Sequence, residues 1–450
     1  MTGIVPLAHR ELSEASCVFN AAVGLPRFHF SIAAHAMFDP DHIQQADLRG
    51  GTPPWQSATR PVRPRVLQSF RCEVLVVGAG ITGSLVAEHL ASQGRDVCII
   101  DRERPGFGST AASTAMLQWE IDRPLRELSD LYGFERAANV YRHSLAAVSG
   151  LVSLVAERGL FCGMRQRHSL CMAAGEVSAR DLLAEHELRK KAGLPGVFLD
   201  ARTIRSEFGF SCDGGILSPG SADADPLLLS QALLAAASMQ GAKLFDGEAV
   251  SYQNSSDAVA VVLDDGHVIE AKHVVLATGY VMPDCVSSDL HKVVSSWAIA
   301  TPPQPPGSLW RDGLLLWEAS KDYHYTRTTL QNRIVMGGED DDKAVEPDAR
   351  DALMGEKANT LLRKLKELWP TADPVAEFVW SGAFGTTTDG LPLIGPVPGY
   401  PRMQAAYGYG GNGITFSYLA SRMIAASIAG QEQSWFDDFA IDRAVPEKQS

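Results

Sequence analysis

The sequence predicts an α/β chain, on three observations. The apolar run 72–78, a glycine turn, an alanine-rich amphipathic stretch from Ile81 to Gln93 and the apolar run 96–101 read in turn as strand, turn, helix and strand, a βαβ unit. A further apolar strand ends in VVLATG at 274–279, and the run from Ile414 to Ala429 is apolar almost all round, as a buried helix before Gly430 would be. Between them, from about 291 to 385, the texture changes to strands rich in Trp, Tyr and Thr.

Composition narrows the function classes. The 450 residues carry 40 basic and 53 acidic side chains, a formal charge of −13, which argues against nucleic acid as a partner. Hydrophobic residues make up 45% and charged ones 21%, enough for a large core and incompatible with disorder or a coiled coil. No run reaches the roughly 18 apolar residues of a spanning helix. Seven cysteines, at 17, 72, 98, 162, 171, 212 and 285, form no C-x-x-C pair and leave one over from any disulfide scheme. Reduced thiols and a cytoplasmic location are expected. The N-terminus, MTGIVPLAHRELSEASCVF, lacks the basic cluster and apolar core of a secretory signal.

Residues 1–70 show no sustained periodicity and end in GGTPPWQSATRPVRPRV, so a loose N-terminal arm is expected. After the βαβ unit, Asp225-Pro226 supplies an N-cap and first-turn proline for a helix ending before Gly241. A two-strand meander turning at Asp265-Gly266 then leads into VVLATG. Farther on, Leu353, Leu361, Leu362, Leu365 and Leu368 share one helical face before Pro370.

Gly78, Gly80 and Gly83 form G-x-G-x-x-G between a strand and a helix, where backbone can approach a pyrophosphate held by the helix N-terminus. Asp101 ends the next strand, placed to accept from a ribose hydroxyl. The rival reading is a plain glycine turn with a solvated aspartate. NAD and FAD share this fingerprint. Ala277-Thr278-Gly279 offers a second small turn against the same dinucleotide, or simply a strand end. In AYGYGGNGITFS, Gly408, Gly410 and Gly413 repeat the spacing, but no strand ending in an acid follows. This loop reads instead as one aiming a helix N-terminus at a partly negative group.

These residues resemble the D-amino acid oxidase superfamily of FAD-dependent oxidoreductases, which includes glycine oxidase, sarcosine oxidase and gamma-glutamylputrescine oxidase-like members. The resemblance rests on VVGAGITGSLVAEHLASQGRDVCIIDRE, GSTAAS at 108–113, VVLATGY, and DGLPLIGPVPG followed by GYGGNGITFS, and spans residues 72–430. It implies a Rossmann-like FAD-binding domain (71–140, 221–290, 386–450) interleaved with a β-rich α+β substrate domain (141–220, 291–385). Gly78, Gly80 and Gly83 would then meet the FAD pyrophosphate and Asp101 the ribose. Ser109, Thr110, Ser113 and Thr114 would run along the pyrophosphate and flavin ring, though Thr110 and Ser113 equally suit turns. Gly410, Gly411, Asn412, Gly413, Ile414 and Thr415 would meet the pyrimidine edge. Members with covalent flavin carry a cysteine shortly before the C-terminal aspartate segment, where this chain has WSGAFGTTTDG. Non-covalent FAD is expected.

The activity so implied is oxidation of a C–N bond of an amino acid or other small amine by hydride transfer to flavin N5, the imine then hydrolysing. The alternatives are a polyol-phosphate flavin dehydrogenase and a non-catalytic flavin-binding subunit. In KDYHYTRTT, strand alternation puts Tyr323, Tyr325 and Arg327 on one face, and a guanidinium fork beside two phenols suits a substrate carboxylate. Tyr325 and Arg327 are therefore the candidate catalytic residues, against a reading in which Arg327 pairs with a structural acid. The strand VVSSWAIATP at 293–302 holds no lysine to activate oxygen, although Lys292 adjoins it, so the acceptor is O2 or another electron acceptor. GGEDDD at 337–342 reads as a solvated turn, and no metal site is expected.

Overall fold

The computed structural model describes residues 48–55 and 63–446, all within the unit Ala33–Ser450. Two sheets carry the fold. One has the order Leu393–Val397, Tyr400–Tyr407, Val268–Leu276, Phe70–Val77, Val97–Asp101 and Lys243–Asp246. Its four central pairings are parallel. Parallel strands covered on both faces should be continuously apolar, and Val74, Leu75, Val76, Ile99 and Ile100 are each 0% exposed. A meander of Ala249–Asn254 and Val259–Leu263 joins Val268–Leu276 through the turn at Gly266.

Helices Ile81–Ser92, Phe134–Arg158, Pro226–Met239 and Gly413–Ile428 share a core with one face of this sheet. Asp225 caps the third as its position predicts, its carboxylate accepting from the N–H groups of Leu227 at 3.0 Å and Leu228 at 2.9 Å. Gly430, with φ +68°, follows the last.

The second sheet runs Arg49–Gly51, Phe378–Thr387, His291–Ala300, Ile334–Asp341, His324–Thr328, Leu315–Ala319, Arg165–Ala173, Gly214–Asp223 and Met116–Leu117, with Val197–Asp200 also beside Gly214–Asp223. Its pairings are antiparallel except that between Leu315–Ala319 and Arg165–Ala173. The helix Met354–Leu368 covers it with Leu361, Leu362 and Leu365.

Three particulars depart from the sequence reading. The arm expected over 1–70 lies largely outside the described residues, but Arg49–Gly51 is an edge strand and Arg49 is buried, its Nε donating to the Phe107 carbonyl at 2.6 Å. The segment 141–158 is the end of a 25-residue helix, packed with the parallel sheet's helices. GGEDDD is solvated at Asp340 and Asp342 but is not a turn, since Gly337–Asp341 belongs to a strand.

Close approach, more than flexibility, explains the glycines of the first turn. A Cβ on Gly78, whose φ is +104°, would lie 2.3 Å from the Ala277 carbonyl oxygen, and one on Gly83 would lie 1.9 Å from that of Gly78. Helix and strand touch through bare backbone. Gly83→Ala should therefore destabilise the chain by about 3 kcal/mol, the upper end of overpacking costs. Urea unfolding of the wild type and variant checks this.

Candidate active site

A cavity of about 1680 Å³ lies between the two sheets, larger than the roughly 300–1,000 Å³ of an ordinary small-ligand pocket. It has room for a dinucleotide and a second molecule. At one end stand Gly78, Gly80, Asp101, Ser109, Thr110, Ser113 and Thr114, joined by Ala277, Thr278 and Gly279. Asp101 accepts from the N–H of Ala79 at 2.6 Å and of Glu103 at 2.8 Å, and burial still raises its pKa. The Thr110 hydroxyl accepts from the Ile81 N–H at 2.9 Å. The buried Ser109 Oγ has no partner among the described residues, as an atom awaiting a ligand would. These groups fit FAD: backbone laid bare by glycine, a helix N-terminus and an acid at the next strand end.

The glycine loop 410–413 forms another part of the lining. Gly410, Gly411, Asn412, Gly413 and Ile414 line the cavity. Two groups turn away from it. The Asn412 amide donates to the carbonyls of Gln118 at 3.0 Å and Glu120 at 2.9 Å, and the Thr415 hydroxyl donates to Gln118 at 2.9 Å. They moor the loop to the segment after Met116–Leu117. Asp122, which the sequence reading passed over, accepts from the Gly411 N–H at 2.7 Å and faces the cavity, where burial raises its pKa.

The second sheet supplies the remaining wall with Ser296, Trp317, Tyr323, Tyr325 and Phe384. The rings of Tyr323 and Tyr325 lie 5.8 Å apart, and burial holds both phenols neutral by raising their pKa. Behind them His324 is clamped between Glu318 at 2.7 Å and Glu339 at 2.8 Å. Burial opposes its charge, but the two carboxylates prevail and the imidazole pKa is raised.

Arg327 does not stand with the tyrosines at the cavity. It is 2% exposed and is absent from the lining, because its fork is already engaged. Nε donates to the Thr114 carbonyl at 2.5 Å, Nη2 to that of Ala224 at 2.8 Å, and Nη1 meets Asp223 at 3.4 Å. Burial lowers its pKa to about 10 against the pull of Asp223. This is the rival reading, an arginine paired with a structural acid. Nothing in KDYHYTRTT reveals that acid, which is 104 residues away.

One consequence is measurable. A lysine cannot reach three acceptors at once, so Arg327→Lys should cost about 2 kcal/mol, the scale of a hydrogen bond to a charged group. The melting temperature should fall, while the ratio of flavin reduction by amines to that by amino acids stays unchanged.

A family model described as FAD dependent oxidoreductase matches residues 73–427. The gamma-glutamylputrescine oxidoreductase of Escherichia coli (strain K12) is 26% identical over 382 residues, covering 83% of this chain and 87% of that protein. A glycine oxidase of Bacillus licheniformis is 26% identical over 389 residues, covering 83% and 98%. The crystal structure of glycine oxidase from Geobacillus kaustophilus superposes with a TM-score of 0.70 at 22% identity, covering 84% of this chain and all of that one. The fold, the glycine cradle with its acid at the strand end, and the match over 73–427 establish that the chain belongs to the FAD-dependent oxidoreductase family of D-amino acid oxidase, an enzyme family whose cofactor is FAD, held here without the cysteine that covalent attachment near WSGAFGTTTDG would need.

Proposed function

We propose that the protein oxidises a C–N bond of a small amine or amino acid, passing a hydride equivalent to FAD and releasing an imine that water hydrolyses. The observation that carries this reading is the single cavity, which runs from the glycine turn and Asp101 to the aromatic wall of Tyr323 and Tyr325. The relatives' names point the same way, since glycine and gamma-glutamylputrescine are both C–N compounds.

FAD supplies the electron sink, and the chain's own groups supply position and electrostatics. Gly78, Gly80 and Gly83 would admit the pyrophosphate, Asp101 would accept from the ribose, and Ser109, Thr110, Ser113 and Thr114 would flank the cofactor's length. Ala277, Thr278 and Gly279 would close over it. The loop from Gly410 to Ile414, opening the helix Gly413–Ile428, would bring positive helix-terminal dipole to the flavin edge where charge gathers on reduction. Neutral phenols at Tyr323 and Tyr325 would wall the substrate and exclude water. A polyol-phosphate substrate would need an unpaired basic cluster, but Arg123 pairs with Glu127 at 3.4 Å, Arg126 with Asp181 at 3.9 Å and Arg102 with Glu248 at 3.3 Å.

Anaerobic titration tests the proposal. Glycine, N-methylglycine, n-butylamine and glycerol 3-phosphate are added in turn, and the flavin absorbance should bleach with at least one nitrogen compound. Bleaching by glycerol 3-phosphate alone would defeat the C–N reading. Acid precipitation of the same sample should leave the yellow colour in the supernatant.

A further inference from the structure

Strand register places Trp317 beside Tyr325 on one side and beside Cys171 on the other. Neighbours in register point to the same face of a sheet, and all three residues line the cavity. The Trp317 indole is part-buried, and its N–H is closed to solvent and has no partner among the described residues. An indole nitrogen can only donate, so this group stays unanswered until an acceptor enters the cavity.

A second such donor comes from the segment after Met116–Leu117. Met116, Gln118 and Glu120 face the cavity in alternation, while Leu117 and Trp119 enter the core. The Gln118 carbonyl accepts from Asn412 and Thr415, which fixes the residue beside the glycine loop, yet its side-chain Nε2 is buried and unpartnered. Charged groups of the lining are differently placed. Arg102, Arg123, Arg126 and Arg189 each pair with a carboxylate, and Lys321 stands on an exposed turn. Asp122 adds a carboxylate to the same lining.

Building on the proposed C–N oxidation, we infer that the substrate is an amine that also carries an uncharged carbonyl oxygen, as in a carboxamide, and that the Trp317 indole and the Gln118 amide are the donors that select it. A carbonyl oxygen has two lone pairs and no net charge, so it answers N–H groups without needing a cation. A carboxylate in its place would face the Asp122 charge while Arg102, Arg123, Arg126 and Arg189 are already engaged. A plain alkylamine would leave both donors unanswered, and a site built to hydrogen-bond a substrate group rejects the analogue that lacks it. The carbonyl is an anchor: it fixes the amine over the cofactor and takes no part in the bond changes of the oxidation.

Anaerobic rapid mixing of the holoenzyme with glycinamide, glycine or ethylamine tests this, each compared at equal concentration of its neutral amine so that basicity drops out. Glycinamide should bleach the flavin about tenfold faster than either of the others, the scale of one satisfied hydrogen bond. Trp317→Phe keeps a ring and removes the N–H, and Gln118→Met keeps the side-chain length and removes the amide. Each should lower the ratio of the glycinamide rate to the ethylamine rate about tenfold, with flavin content and melting temperature close to wild type. A ratio that neither substitution moves assigns both side chains to structure and overturns the inference, as does glycine or ethylamine outpacing glycinamide, and C–N oxidation stands in either case. A Gln118→Met variant that loses flavin with the ratio intact gives that donor to the cofactor and overturns its part. Failure of all three compounds to bleach a flavin that dithionite does reduce overturns this inference and the C–N reading together.

Discussion

Asp223, fully buried, gathers three guanidinium groups from two strands: Arg165 at 2.5 Å, Arg167 at 3.5 Å and Arg327 at 3.4 Å. One negative charge cannot neutralise three, so backbone carbonyls complete the shell. Arg165 donates to Thr328, Arg167 to Asp312, and Arg327 to Thr114 and Ala224. Removing a buried charge's partner typically costs 3–5 kcal/mol, and the directional guanidinium forks allow little sliding. The tie between Arg165–Ala173 and His324–Thr328 across the intervening strand Leu315–Ala319, the placement of the Thr114 backbone along the cavity, and the entry into the helix capped by Asp225 all pass through this cluster. Both walls of the active site are positioned by a group that never meets the substrate.

Desolvation governs the electrostatics of the cavity itself. Asp101, Glu120 and Asp122 share one leading cause for their raised pKa values, burial among protein atoms. What differs is the answer each receives. Asp101 is met by two backbone N–H groups, Glu120 by Arg189 and the Ser169 hydroxyl, and Asp122 by the Gly411 N–H. Asp122 has the poorest compensation and Glu120 the fullest, so the same residue chemistry yields a moored structural acid in one place and a responsive one in another. The glycine loop is caught in this arrangement. A Cβ on Gly410 would lie 2.4 Å from the Asp122 carboxylate, so the absence of a side chain lets acid and backbone meet.

The parts of the site that were legible in the sequence are those made by contiguous residues. Gly78 to Gly83 followed by Asp101 is a local device, since the turn, the helix start and the strand end are all encoded within one βαβ unit. The same holds for Asp225-Pro226, whose capping bonds reach only two and three residues ahead. The substrate wall was less legible. Strand alternation correctly put Tyr323 and Tyr325 beside one another, but it is blind to what lies above each position, and Arg327 on the same strand is covered by the Thr114 backbone and the ring of Trp55 at 5.0 Å. Asp122 carried no motif at all.

Determined by the sequence alone were the α/β class and the glycine turn with its acid at the next strand end, because period, capping and close glycine approach are short-range constraints; FAD rather than NAD followed from the family resemblance. Only the tertiary structure decided which charges remain available in the cavity. That outcome depends on pairings across a hundred residues or more, as between Arg327 and Asp223, and on long-range contacts such as that of the Asp122 carboxylate with the Gly411 N–H. A charge's role follows from its partners and its exposure, and both are properties of the folded chain.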